Sequence, residues 1–92
     1  MIRSFNSKDA EILFRLRGNP RFGTSERVAL RKLVQLDLAE SLQDMRAPPG
    51  NRLEQLSGNR KGQWSVRIND QYRLCFRWTP EGPEDVEIVD YH

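Results

Sequence analysis

The sequence predicts an α+β domain in which two or three N-terminal helices cover one face of a small, mainly antiparallel sheet. Three observations carry that prediction. Apolar residues recur at helical spacing between Ser7 and Met45, and they alternate with polar ones from Arg52 onward. Between the two patterns lies APPG, residues 47–50, which neither can run through. Proline removes a backbone donor and restricts the residue before it.

Met1 to Phe5 alternates and predicts a short first strand. Ser7 is placed to cap a helix, with Asp9 and Glu11 at its positive end. Leu13, Phe14 and Leu16 form its apolar side, and Gly18 with Pro20 ends it. A second helix opens at Thr24 or Ser25. Its stripe is Ala29, Leu30, Leu33, Val34 and Leu36, with Arg27, Arg31 and Lys32 left in water. Asp37 and Glu40 read as a capping box for a short third helix through Leu42 to Met45. Beyond APPG, RLEQL is a strand candidate and SGNRKG a turn. QWSVRI and QYRLCFRW are strands joined at Asn69-Asp70, and TPEGP turns the chain into a last strand, VEIVDYH.

A chain of 92 residues has room for one modest core, so residues 1–92 read as a single domain. With 37% hydrophobic and 30% charged residues it is globular rather than disordered. No apolar run approaches ~18 residues and MIRSFNSKD lacks a signal-peptide core, so the expectation is a cytoplasmic protein away from membranes. The single Cys75 excludes an internal disulfide and, with His92 the sole histidine, a Cys/His zinc site. Cys75 reads as a small core residue. There is no Gly-rich phosphate loop, and neither a cofactor nor a metal is expected.

The net charge is only +2, but it is unevenly spread. From Arg46 to Arg77 basic residues dominate; from Trp78 onward there are acidic residues and no Lys or Arg. Most of the cations are arginines, whose planar fork can grip a phosphate through two parallel hydrogen bonds. Alternation puts Tyr72, Leu74, Phe76 and Trp78 on one side of a strand and Arg73, Cys75 and Arg77 on the other, with Arg67 next door. A sheet face carrying several arginines needs an anion or water against it. A polyanion is expected there.

The second half of the chain resembles the HigB toxins, a branch of the RelE superfamily of toxin–antitoxin ribonucleases. The resemblance rests on a Gly-x-Arg-x-Gly turn at Gly58 to Gly62, Trp64-Ser65, the pair Tyr72-Arg73, and Asp90-Tyr91-His92; MIRSF fits as well. It implies a RelE-like microbial ribonuclease fold and a toxin that cuts messenger RNA in the 30S A site of the ribosome. It also implies a HigA-type antitoxin partner, through which alone the pair would meet operator DNA. Arg73 matches the arginine on the scissile phosphate, and Asp90, Tyr91 and His92 match the active-site trio. The motif Leu-His-Pro-Leu-Lys-Gly of better-known members reads LEQLSG here, with Glu54 at the histidine position and Ser57 at the lysine position. That departure leaves the base open, with Glu54 as the candidate.

RNA supplies its own nucleophile, so cleavage needs only a base for the 2′-hydroxyl, positive charge on the phosphorane, and an acid for the departing 5′-oxygen. The expected assignment is Glu54 as base, Arg73 on the phosphate and His92 as acid. Asp90 would share a strand face with His92 and orient its ring, while Tyr91 would point the other way. Removing His92, or extending the chain past it, is expected to reduce cleavage and spare the fold. Arg52, Ser57, Arg60, Lys61, Arg67 and Arg77 are candidate RNA contacts, and Trp64 could stack on a base by its edge. Each has an ordinary counterpart: Glu54 as an exposed strand carboxylate, Arg73 paired to Asp90, Trp64 in the core, Arg60 and Lys61 on a wet turn. Two other functions share the arginine face. One is a translation inhibitor that binds RNA or ribosome without cutting, and the other a module that docks an acidic protein.

Overall fold

The computed structural model describes residues 1–91. Helix α1, Lys8–Leu16, starts where Ser7 Oγ accepts the Ala10 N–H at 3.2 Å and stops at Arg17, which takes the left-handed conformation beside Gly18. A 3₁₀ segment, Pro20–Ser25, runs straight into helix α2, Glu26–Leu38. Ala29, Lys32, Leu33 and Leu36 form the buried stripe of α2, so Lys32 is not in water as its charge suggests. Its Nζ bonds to Asn51 Oδ1 inside the fold. Asp37 likewise does something other than capping: it accepts the Ile2 N–H at 2.9 Å and ties down the start of the chain. The capping box belongs to Ser41 and Asp44, and it opens a 3₁₀ turn, Leu42–Arg46, in place of a third α-helix.

Asn51 organises the passage through APPG. Its Nδ2 donates to the Met45 and Ala47 carbonyls at 3.1 Å each. The chain then enters a four-stranded sheet: β1 (Glu54–Gln55), β2 (Trp64–Arg67), β3 (Tyr72–Thr79) and β4 (Gly82–Asp90), antiparallel in that order. The expected first strand shrinks to a single parallel bridge, Phe5 to Val86, flanked by bonds from Arg3 N–H to Pro83 and from Asn6 N–H to Val86 at 2.8 Å. It cannot extend because Asn6 and Ser7 turn away to start α1.

Both helices lie on one face of the sheet. Leu13, Leu33, Leu36 and Met45 meet Val66, Leu74, Phe76 and Val86 there, all fully buried. Burying a Leu or Phe side chain is worth roughly 1.5–3 kcal/mol, so this is the layer that holds the fold together. A bulge between Cys75 and Arg77 sets Asp85 and Val86 opposite Phe76, with Asp85 at φ 52. The extra residue lets β4 keep Val86 in the core while aiming the Asp85 carboxylate at Arg77, 3.4 Å away.

Candidate active site on the arginine face

The site lies on the sheet face opposite the helices, and register alone fixes its layout. Glu54 pairs with Ser65, Ser65 with Cys75, and Cys75 with Glu87, forming one row; Arg67, Arg73 and Val89 form the next. Arg73 reaches from β3 across β2 to Glu54 on β1 and makes an ion pair there. The Arg73 side chain is 21% exposed and that of Glu54 53%, so the guanidinium is held under cover while the carboxylate faces solvent. Tyr91 closes the other side. Its ring centroid sits 5.5 Å from the Arg73 guanidinium carbon, and its hydroxyl donates to the Asn69 carbonyl at 2.9 Å. A guanidinium over an aromatic face gains about 0.5–1 kcal/mol and loses rotational freedom.

Two expectations about the strand end are reversed. Asp90 pairs with Tyr72 and so belongs to the helix face, not the arginine face. Its carboxylate accepts from Gln71 Nε2 at 3.1 Å and lines a cleft of about 220 Å³ with Phe22, Tyr72 and Ile88. Tyr91 does not point away from Arg73: alternation past Val89, the partner of that arginine, puts it alongside. Its N–H also donates to the Gln71 carbonyl at 3.1 Å, which pins this end of the strand. Arg73 pairs with Glu54 rather than with Asp90. His92 lies outside the described residues.

The remaining candidates divide. Arg67 pairs with Asp70 and Arg77 with Asp85. Arg60 is no wet turn tip: it folds back to Glu87 at 2.7 Å, and that hydrogen bond raises its pKa further. Lys61, Arg52 and Ser57 are exposed on the loops around β1, with Arg52 at φ 48. Gly62, at φ 92, passes so close to the Arg77 guanidinium that a Cβ there would lie 2.6 Å from it. Trp64 sits opposite Phe76 and packs against the helix-side core, so it is not a stacking platform on the arginine face. Cys75 is buried below the arginines, and burial above all pushes its thiol up, away from reactivity.

Sequence reading misses the carboxylates that neutralise this face, Glu87, Asp85 and Asp70. Alternation in VEIVD does place Glu87 beside Cys75, but the bulge that turns Asp85 toward Arg77 leaves no mark in the letters. Such partly exposed pairs are worth only about 0–1 kcal/mol each. A phosphate backbone could therefore replace the carboxylates at little cost.

The α+β fold thus gathers a carboxylate, a guanidinium and a tyrosine on its open sheet face. Residues 17–92 match the family model described as RelE-like toxin of type II toxin-antitoxin system HigB. The chain belongs to this HigB-like toxin family. It is 55% identical over 53 residues to Toxin HigB-1 of Vibrio cholerae serotype O1, covering 58% of this chain and 56% of that protein. It is 38% identical over 52 residues to a protein of Haemophilus influenzae, covering 56% and 52%. The matches thus span about half the length of these curated relatives. The YoeB-YefM complex from Staphylococcus aureus contains a chain of the same fold, with TM-score 0.58 and 19% identity over 100% of this chain and 98% of that one. Among the described residues, no helix is long and apolar enough to cross a membrane.

Proposed function

We propose that this toxin is a ribosome-dependent endoribonuclease that cuts messenger RNA in the A site and so inhibits translation. The observation that carries the reading is the convergence of Glu54, Arg73 and Tyr91 on one open sheet face. In the proposed reaction a messenger phosphate draws Arg73 to its non-bridging oxygens. Glu54, released from the ion pair, takes the proton of the adjacent 2′-hydroxyl. The 2′-oxygen attacks phosphorus, the bond to the 5′-oxygen breaks, and His92 protonates the leaving oxygen. The products are a 2′,3′-cyclic phosphate and a 5′-hydroxyl end. Base and phosphate clamp contribute on the order of 10²–10⁴-fold and 10²–10³-fold respectively.

Tyr91 holds the guanidinium in place, and Asp90 anchors the strand end through Gln71 without touching the phosphate. Arg52, Ser57, Lys61, Arg67 and Arg77 rim the site and suit ribosomal or messenger phosphates. The ribosome enters because a site whose base and clamp are bonded to each other needs an ordered substrate to part them. Neutralisation by a HigA-type antitoxin, with operator DNA reached only through that partner, completes the proposal and suits a protein acting in the cytoplasm.

A second reading has its own observation: arginines 60, 67, 73 and 77 all have carboxylate partners, as in a binding surface that never needs a free base. One experiment separates the two. Purified protein is added to programmed ribosomes and the new RNA ends are characterised. Cutting predicts 5′-hydroxyl ends within the A-site codon; arrested translation of an intact messenger would favour occupancy.

A further inference from the structure

At the Glu54–Arg73 pair, two buried polar side-chain atoms have no hydrogen-bond partner among the described residues, Ser65 Oγ and Arg73 Nε. Ser65 is 0% exposed. An unpartnered buried group of this kind carries its full desolvation cost, and a native protein that retains one calls for a reason. Their positions supply it. Ser65 lies on β2, directly opposite Glu54 on one side and Cys75 on the other, and Arg73 is two residues from Cys75 on the same face. To reach Glu54, the Arg73 side chain must cross β2, which lies between β1 and β3. It therefore passes beside Ser65. One orphan is a donor, the other a hydroxyl that can accept one bond and donate another.

Resting on the cleavage reading above, we infer that Ser65 is a positioning residue that joins Arg73 to Glu54 once substrate has parted them. In the free protein Arg73 Nη2 bonds straight to Glu54 and leaves Nε and the hydroxyl unused. When a scissile phosphate takes the two Nη groups, Nε–H donates to Ser65 Oγ and the hydroxyl proton is donated to one Glu54 oxygen. The other Glu54 oxygen stays open to the 2′-hydroxyl. Both orphans are then satisfied, the guanidinium fork is fixed toward phosphorus, and the carboxylate does not swing into solvent. The hydrogen bonds missing in the free protein are formed in the engaged one, so their gain favours the reactive arrangement.

The test is Ser65→Ala beside the wild type, in cleavage of messenger on programmed ribosomes and in thermal melting of the free protein. Because the hydroxyl bonds to none of the described residues in the free protein, the melting midpoint should hold or rise. Because it orients both reacting groups, kcat should fall on the order of 10-fold, with KM for the ribosome complex within about twofold. A variant that keeps wild-type kcat overturns the inference. So does a loss carried by KM, or one that accompanies a lowered midpoint, since either pattern is that of a binding or merely structural residue. Intact messenger in the wild-type reaction would instead fail the cleavage reading itself, and is seen in a separate lane.

Discussion

On the helix side of the sheet, Val66, Leu74, Phe76 and Val86 are sealed from water by Leu13, Leu33 and Leu36. On the other side Ser65 and Cys75 are sealed almost as completely, but the cover is made of Arg73, Arg60 and the carboxylates of Glu54 and Glu87. The first kind of dryness comes from close-packed apolar surface and has no alternative partner. The second comes from ion pairs that are worth little in partly wet positions and can be traded for a phosphate. On the proposed cleavage reading, one sheet thus separates stability from chemistry by face. Substitutions on the helix side should cost folding, and substitutions on the arginine side should cost cleavage with the fold intact.

The largest effect expected is on cleavage. Arg73→Ala should lower A-site cutting by about 10²–10³-fold and Glu54→Gln by about 10²-fold, each with a melting midpoint near wild type. Parallel loss of folded protein would break the separation of faces. Next is Phe76→Ala, which should cost about 3–5 kcal/mol in denaturant unfolding, because a fully buried ring leaves a cavity between sheet and helices. Tyr91→Ala should then reduce cleavage about 10-fold, more than Asp90→Asn does, since only Tyr91 touches Arg73. The reverse order, read in the same ribosome assay, would return Asp90 to the chemistry.

Lys32 gives a pH-dependent test of the core. Burial, helped by the neighbouring Arg31 charge, holds its pKa below the ordinary 10.5. The folded protein then binds fewer protons there than the unfolded chain. The resulting penalty is complete below the lowered value and fades as pH rises toward 10.5. The midpoint of the wild type should accordingly gain on that of Lys32→Met as pH rises toward 10.5. A constant difference would mean that the amine is wet. The smallest effect is that of Trp64→Leu, which should change cleavage by less than about threefold and lower stability modestly.

Much of the fold is legible in the letters. Period two from Trp64 onward locates three strands and both faces, and Ser7 announces the start of α1 through a bond it does make. The failures have physical causes. Lys32 reads as solvent because its charge says nothing of Asn51, which supplies a partner from 19 residues away. Arg60 reads as a turn tip because Glu87, its partner, lies on a strand three elements later. The face of Tyr91 is misjudged because alternation sets it opposite Asp90 without saying which of the two lies beside Arg73; the register of Val89 against Arg73 decides that. The role proposed for Ser65 needs the structure outright: a missing hydrogen bond is invisible in a sequence.

The central claim is that the reacting groups belong to the arginine face and owe nothing to the tryptophan behind it. Mapping 5′-hydroxyl ends on ribosome-bound messenger with Arg73→Ala and Trp64→Leu side by side tests it most directly. The account predicts silence from the first and A-site cuts from the second; cutting by Arg73→Ala at the wild-type rate would contradict it.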